Sequence, residues 1–469
     1  MAKPSKPGSN QRRKAPNDRE SEAPFRRDTA PEPSRRSSPS APDPKHRQSN
    51  EPPVMGARVN RRAADRLRSG HLWVYASDLE SVETGEGQPP SLLPVADSRG
   101  LLLGTALYSP SSQIALRMVS RDSIGEAEWL DLLARRLFKA VDERLVMLNA
   151  ATVDSDSCRL CFSEADDLPG LVIDKYGELV ILQFLARGLD SNAVRKTCVE
   201  TLLKALEKTK APPVSIFERP DPRIRELEGL AAPDLAPLWA VNPEAPITST
   251  QFQLNGLNFH YDANAGQKTG AFLDQSANYK AAEQWAWKLS PGGRALDVCT
   301  YQGGFALHLA RVSETVTGID SSRASLEVAE RNLAANRDKF RSNVKIDWVE
   351  GDAFQILRDW AAAREQFDTI VLDPPAFAKS KRAVEGALRG YKELNLRAMQ
   401  MLKPSGLLVT CSCSHHVSLA DFEAVLASAA IDAHRRVRLL QRRGAAPDHP
   451  VILNLPETEY LKCLVLEVE

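Results

Sequence analysis

Cys413 stands in Leu407-Leu-Val-Thr-Cys-Ser-Cys413-Ser-His-His416, forty residues after a second signature, Val371-Leu-Asp373-Pro374-Pro375-Ala-Phe377. Each is an apolar run that ends in polar residues, as a strand does when it opens onto a ligand crevice in an α/β sheet. A thiol can attack an electron-poor ring carbon. Asp373 can accept a hydrogen bond from a base's exocyclic amine, and Phe377 can stack on a base taken out of its helix. Pro374 and Pro375 remove two backbone donors and fix an extended turn between them. The bland reading of the same residues is a rigid strand-to-helix turn with a buried Phe.

A second group of residues has the spacing of a nucleoside site. Asp297-Val-Cys-Thr-Tyr-Gln-Gly303-Gly304-Phe305 follows an apolar run, and Asp320 closes the next one, 23 residues after Asp297. An acid at that point can hold ribose hydroxyls, and Asp352, after a third run, can accept from an adenine amine. The loop lacks the G-x-G-x-x-G spacing that seats a pyrophosphate on a helix N-terminus, which argues against NAD. S-adenosyl-L-methionine carries a ribose and no phosphate, so it fits.

These residues need a sheet to align them. Within the last unit, 251–469, a hairpin-like segment from about Gln251 leads into residues 270–469, which alternate strand and helix patterns, with strands at Ala295–Cys299, Thr315–Asp320, Val344–Val349, Thr369–Asp373, Leu407–Cys411 and Tyr460–Val468. Such alternation predicts a doubly wound α/β domain with a parallel sheet. Short apolar segments over 57–122 predict a small β-rich module. Helical periodicity over Glu126–Leu148, within 123–149, predicts a connecting helix. Residues 150–250 read strand, strand, helix, strand, an α+β module with no catalytic group of its own.

Residues 1–53 are built from Pro, Ser, Arg, Lys and Asn and are expected to be disordered. They carry 12 Lys/Arg against 7 Asp/Glu, whereas the remainder carries 49 against 54, so the balance of 61 against 61 conceals a basic tail. Such a tail suits nonspecific contact with RNA phosphates. The chain shows neither a secretory signal nor an eighteen-residue apolar run, which predicts a cytoplasmic protein without membrane contact. Seven cysteines without such a signal fit free thiols, and Cys158-Arg-Leu-Cys161 has no second pair to complete a metal site, so no metal is expected. The sequence carries no signal of oligomeric state.

Taken together, His71-Leu-Trp-Val-Tyr75, Glu164-Ala-Asp-Asp-Leu-Pro-Gly-Leu171, Gly266-Gln-Lys-Thr-Gly-Ala-Phe-Leu-Asp-Gln275, Asp373-Pro-Pro-Ala-Phe377, Gly390-Tyr-Lys-Glu-Leu-Asn395, Ser412-Cys413-Ser414 and Asp448-His-Pro450 resemble one family. It is the bacterial PUA-domain ribosomal RNA large-subunit methyltransferases of the 5-methylcytosine type. The resemblance runs from Ala57 onward and implies a PUA domain, a central α+β domain and a Rossmann-like domain that uses S-adenosylmethionine. It implies that Asp297, Asp320 and Asp352 hold the cofactor, with Gln267–Gln275 closing over it. Asp373 would orient the base, and Cys413 would be the nucleophile. Lys379, Lys381 and Arg382, beside the base pocket, are candidates for phosphate contacts. The basic tail departs from the family pattern, and Cys411 competes with Cys413 as the acting thiol. Two rivals stand beside this reading: methylation of a purine nitrogen, which needs no cysteine, and a noncatalytic RNA-binding assembly factor.

Overall fold

The computed structural model describes residues 55–469 except 88, 149–153, 234–235, 265–269 and 379. The expectations for residues 1–53, Gln267 and Lys379 therefore lie outside the described residues.

Near the N-terminus, six strands form one sheet in the order Trp73–Tyr75, Ile114–Ser120, Leu102–Tyr108, Leu92–Asp97, Gly56–Val59, Leu79–Glu83. Two of these, Gly56–Val59 and Leu79–Glu83, fall outside the apolar segments of the sequence, His71–Tyr75, Leu92–Val95, Gly100–Gly104 and Ile114–Met118. Between them lies an unforeseen helix, Arg61–Arg68, whose first turn is capped by the Asn60 side chain accepting from the Ala63 N–H at 2.9 Å. It buries only Ala63, Ala64 and Leu67.

The connecting helix forms over Glu126–Leu148 and buries Trp129, Leu133, Leu137 and Val141 at helical spacing. It lies on a five-stranded sheet ordered Trp239–Ala240, Ser215–Glu218, Leu179–Phe184, Leu171–Tyr176, Cys158–Phe162. Cys158 and Cys161 are buried in the last of these, and burial pushes both thiols up. A hairpin follows, Ser249–Leu254 paired with Leu257–Asp262. Its turn, Asn255-Gly256, has φ of 52° and 78°, the left-handed pair that a tight hairpin requires.

Seven strands make the largest sheet: β1 (Arg294–Val298), β2 (Thr315–Asp320), β3 (Lys345–Glu350), β4 (Phe367–Leu372), β5 (Leu402–Ser412), β6 (Val437–Arg443) and β7 (Lys462–Val468), in the order β3-β2-β1-β4-β5-β7-β6. The first five are parallel, as expected. β7 corrects the all-parallel expectation by running antiparallel between β5 and β6, and β6 was not foreseen at all. Side chains alternate across the sheet. Ala295, Val371, Val409 and Cys411 join one core with α1 (Ser276–Leu289), α2 (Gly304–Leu309) and α3 (Arg323–Ala334). Leu296, Ile370, Leu372 and Leu408 join the other core, with α4 (Ala353–Ala362), α5 (Val384–Met401) and α6 (Leu419–Asp432). Strand order reverses between β1 and β4, which is where a doubly wound sheet opens its crevice.

The segment between β6 and β7 ties the three sheets together. Asn454 donates to Ser69 O at 3.3 Å, and Asp448 accepts from Arg159 N at 2.8 Å. Arg144, on the connecting helix, forks onto Asp166 at 2.7 and 2.8 Å and also donates to Asp448 O at 3.3 Å. Its side chain is 2 % exposed and that of Asp166 6 % exposed. Replacing Arg144 by Leu leaves a buried carboxylate without its cation, which costs about 3–5 kcal/mol. The expected result is a thermal midpoint lower by several degrees in calorimetry, partly recovered by adding Asp166→Asn.

Candidate active site

The turn after β1 is held in a conformation that few residues adopt freely. Cys299, Tyr301 and Gly303 have φ of 63°, 51° and 87°, two of them in the left-handed region without being glycine. Asp297 stabilises this turn from behind. One of its oxygens accepts from Thr300 Oγ1 at 2.5 Å and from the Ala306 N–H at 2.9 Å. Asp297 is wholly buried, and burial pushes its carboxyl up to about 7 against those two bonds. Asp320, at the end of β2, braces the front: one oxygen accepts from Tyr301 N and the other from Ser322 N, each at 2.9 Å.

Above the turn lies a cleft of about 290 Å³. Asp320, Asp352, Asp373, Gly304, Pro374, Pro375, Phe377 and Cys413 all line it. The sequence expectations therefore converge from the ends of β1 to β5 on one crevice. Asp352 both lines the cleft and caps α4, accepting from Gln355 N at 2.9 Å. Asp297 and Gly303 are not among the lining residues, and they act on the cleft only through the turn they shape. Gly304 is needed for a close approach, since a Cβ there would lie 2.6 Å from the Tyr279 hydroxyl. Lys381 and Arg382 sit exposed on the short turn before α5 and do not line the cleft.

At the far wall, the Cys413 thiol is half-buried and 3.9 Å from Pro374 O. Its chain neighbours are fixed by Tyr391 of α5, whose hydroxyl is 2.9 Å from both Ser412 Oγ and Ser414 Oγ, while Ser414 Oγ accepts from Ala378 N at 3.1 Å. The two signature segments are thus bonded to each other. Lys462, paired with Ser412 across β5 and β7, donates to Ser414 O at 2.9 Å. Burial pulls its ammonium down, and the charge of Cys413 opposes that pull. Cys411, one alternation back, is 0 % exposed inside the sheet core, and burial together with Cys463 holds its thiol well above the usual range. His415 is exposed, His416 is half-buried, and neither lines the cleft.

Asp274 and Gln275, of the segment implied to close over the cofactor, line the cleft, and several further lining residues were given no role from the sequence: Tyr279, Tyr301, Phe354 and Leu461. Leu461 carried no signal, because only the antiparallel placement of β7 brings it to the cleft.

Comparison with known proteins agrees with this architecture. Residues 57–121 match a PUA-like domain, and residues 196–461 match an S-adenosylmethionine-dependent methyltransferase. "Ribosomal RNA large subunit methyltransferase I" of Pseudoalteromonas translucida is 35% identical over 405 residues, 86% of this chain and 96% of that protein. Its namesake from Erwinia tasmaniensis is 36% identical over 395 residues, 84% of this chain and 94% of that protein. The chain belongs to this methyltransferase family. The crystal structure of SMU.776, "a putative methyltransferase complexed with SAH", shares the fold, with a TM-score of 0.71 at 17% identity, covering 88% of this chain and 100% of the other.

The family's cofactor is S-adenosylmethionine, and the cleft fits it on its own chemistry. Among the described residues the lining includes four carboxylates and no Lys or Arg, an environment that favours a sulfonium and an ammonium over a pyrophosphate. Ile319, Ala353 and Phe354 supply an apolar wall next to Asp352. Each Asp320 oxygen keeps a lone pair beyond its backbone bond, enough to accept from a ribose hydroxyl. Asp320→Ala removes those acceptors and loosens the turn at Tyr301. Calorimetry should show cofactor binding weaker by about tenfold or more. Binding as tight as the parent's would exclude Asp320 from the ribose contact.

No helix among the described residues is long and apolar enough to cross a membrane, and no cluster of His, Cys, Asp and Glu among them could hold a metal ion.

Proposed function

We propose that the protein methylates carbon 5 of a cytosine in large-subunit ribosomal RNA, through a covalent bond from Cys413 to carbon 6. The observation that carries this reading is the meeting of an accessible thiol with the Asp373 turn in a cleft suited to a cationic cofactor. The name shared by the relatives supports ribosomal RNA as the substrate.

Bound S-adenosylmethionine would supply an electrophilic methyl group, whose bond to the sulfonium sulfur breaks on transfer to leave S-adenosylhomocysteine. Asp320 would hold its ribose and Asp352 its adenine amine, while Asp297, Gly303 and Gly304 keep the turn beneath it in shape. By the family resemblance, Gln267 would close over it. Carbon 5 of cytosine is too weak a nucleophile to take the methyl unaided. Addition of the Cys413 thiolate to carbon 6 makes carbon 5 enamine-like, and its electron pair then forms the new carbon–carbon bond. The carbon 5 proton leaves to a base, the ring double bond re-forms, and the thiolate is expelled. A free thiol has a pKa of about 8.5, so ionisation needs local help, and the Lys462 ammonium beside Ser414 is suited to give it.

Asp373 would bond the cytosine amine or ring nitrogen and support the charge that develops there. Pro374, Pro375 and Phe377 would shape the base pocket, and Lys379, Lys381 and Arg382 would meet phosphates at its rim. Residues 57–122 would hold RNA, with 123–149 as linker, 150–250 as central module, 251–469 as catalytic domain and 1–53 as an electrostatic arm.

The test is transfer of labelled methyl from the cofactor to ribosomal RNA taken from a deletion strain, followed by mass mapping of nucleosides. The expected product is 5-methylcytosine in the large-subunit RNA. A methylated purine, or no transfer, would overturn the reading.

A further inference from the structure

Cys413 follows directly on the last cross-strand pair of β5 with β7, Ser412 with Lys462. Its two chain neighbours turn their hydroxyls onto one phenol. Ser412 Oγ donates to the Tyr391 hydroxyl at 2.9 Å, and that hydroxyl lies 2.9 Å from Ser414 Oγ, which also accepts from Ala378 N at 3.1 Å. Residues 412 and 414 are held from a single point, and the residue between them is the thiol.

Packing fixes that point. Tyr391 is 0 % exposed, and its ring lies against those of Phe377 and Phe422, with centroids 4.8 and 5.2 Å away. Its helix, α5, also buries Ala387, Leu394, Asn395 and Ala398, so the backbone that carries the phenol is anchored on both sides of it. Gly390 leaves room for the Phe377 ring, to which a Cβ there would come within 3.3 Å.

Stability does not call for this arrangement. Ser412 and Ser414 are wholly buried as well, so three hydroxyls meet out of reach of solvent at one strand end. Each such bond gains only about 1 kcal/mol net, and apolar groups of the same shape can fill a core equally well. What the hydroxyls add is direction, because a hydrogen bond sets distance and angle where packing sets volume. Addition to carbon 6 needs the sulfur above the face of the base, and a misplacement of about 1 Å can cost a factor of about 10².

We propose that Tyr391 is the positioning residue for the nucleophile, holding Cys413 in its attack geometry through Ser412 and Ser414. The inference rests on the thiol route and goes beyond it by naming a residue that does not itself line the cleft.

Methyl transfer to ribosomal RNA by the full chain, at varied cofactor concentration, tests this. Tyr391→Phe keeps the ring and its packing and removes one oxygen. It should lower kcat by about ten- to a hundredfold while the KM for S-adenosylmethionine stays within about twofold of the parent's. Adding Ser412→Ala to that variant should change kcat by no more than about twofold further, because both substitutions break the same link. A kcat near the parent's with only a lower thermal midpoint would show a packing role and overturn the assignment. So would losses that multiply in the double variant. If Tyr391→Phe does not fold, Ser412→Ala alone decides: kcat should fall by about three- to tenfold at unchanged KM, and the parent's kcat would refute the role. Cys413→Ser, assayed alongside, separates the two readings. Full transfer by that variant would refute the thiol route and the positioning role together, whereas its failure beside full transfer by Tyr391→Phe would refute the role of Tyr391 alone.

Discussion

Cys413→Ser should lower methyl transfer to ribosomal RNA by a factor on the order of 10³ or more, the scale of losing a covalent nucleophile. Cofactor affinity should stay within about twofold, because the hydroxyl occupies the same place and the turn after β1 is untouched. Serine cannot replace the thiol, since a hydroxyl is far harder to ionise near neutral pH than a thiol. Cys411→Ala should behave in the opposite way. That thiol is sealed among apolar side chains of the sheet core, so its loss removes packing and lowers thermal stability by about 1 kcal/mol while activity stays near the parent's. Transfer by Cys413→Ser at a rate close to the parent's would rule out the covalent route.

The choice between the two cysteines shows what the sequence could and could not say. Alternation along a strand puts residues 411 and 413 on the same face, so periodicity alone left them equivalent. The difference is that β5 ends at Ser412, and one residue further the chain enters the cleft. Asp320 and Asp373 were legible for the same reason, as polar residues where apolar runs stop. Asp297 does not line the cleft because β1 continues past it to Val298, which keeps its side chain inside and turns it towards the bends of its own loop. Carboxylates that look alike in sequence are sorted by one residue of strand length.

The parts of the fold that were missed share a physical cause. β6 reads Val-Arg-Leu-Leu-Gln-Arg-Arg and lies at the sheet's edge, paired only with β7, so half of its surface faces solvent and its apolar pattern is thin. Gly56–Val59 and Leu79–Glu83 are short strands whose stability comes from pairing with each other and with distant segments. Asp274 meets Tyr460, almost two hundred residues away, only because β7 runs back between β5 and β6. Contacts of that kind follow from topology, which local patterns do not encode.

Large-subunit RNA in which cytosine is replaced by 5-fluorocytosine should form a covalent complex with the parent protein that survives denaturation. The prediction follows from atom balance in the proposed reaction. After Cys413 has bonded to carbon 6 and the methyl has reached carbon 5, release of the thiol requires loss of a proton from carbon 5. Fluorine stands where that proton was and cannot leave as a cation, so the carbon–sulfur bond persists. A band of summed mass should therefore appear on a denaturing gel only when S-adenosylmethionine is present, and Cys411→Ala should give the same band. Cys413→Ser should give none. Methylation of a purine nitrogen proceeds by direct attack of a lone pair and never bonds the enzyme to RNA. Under that chemistry the fluorinated RNA would turn over freely, and the Asp-Pro-Pro-Phe turn would be serving a purine in place of a cytosine.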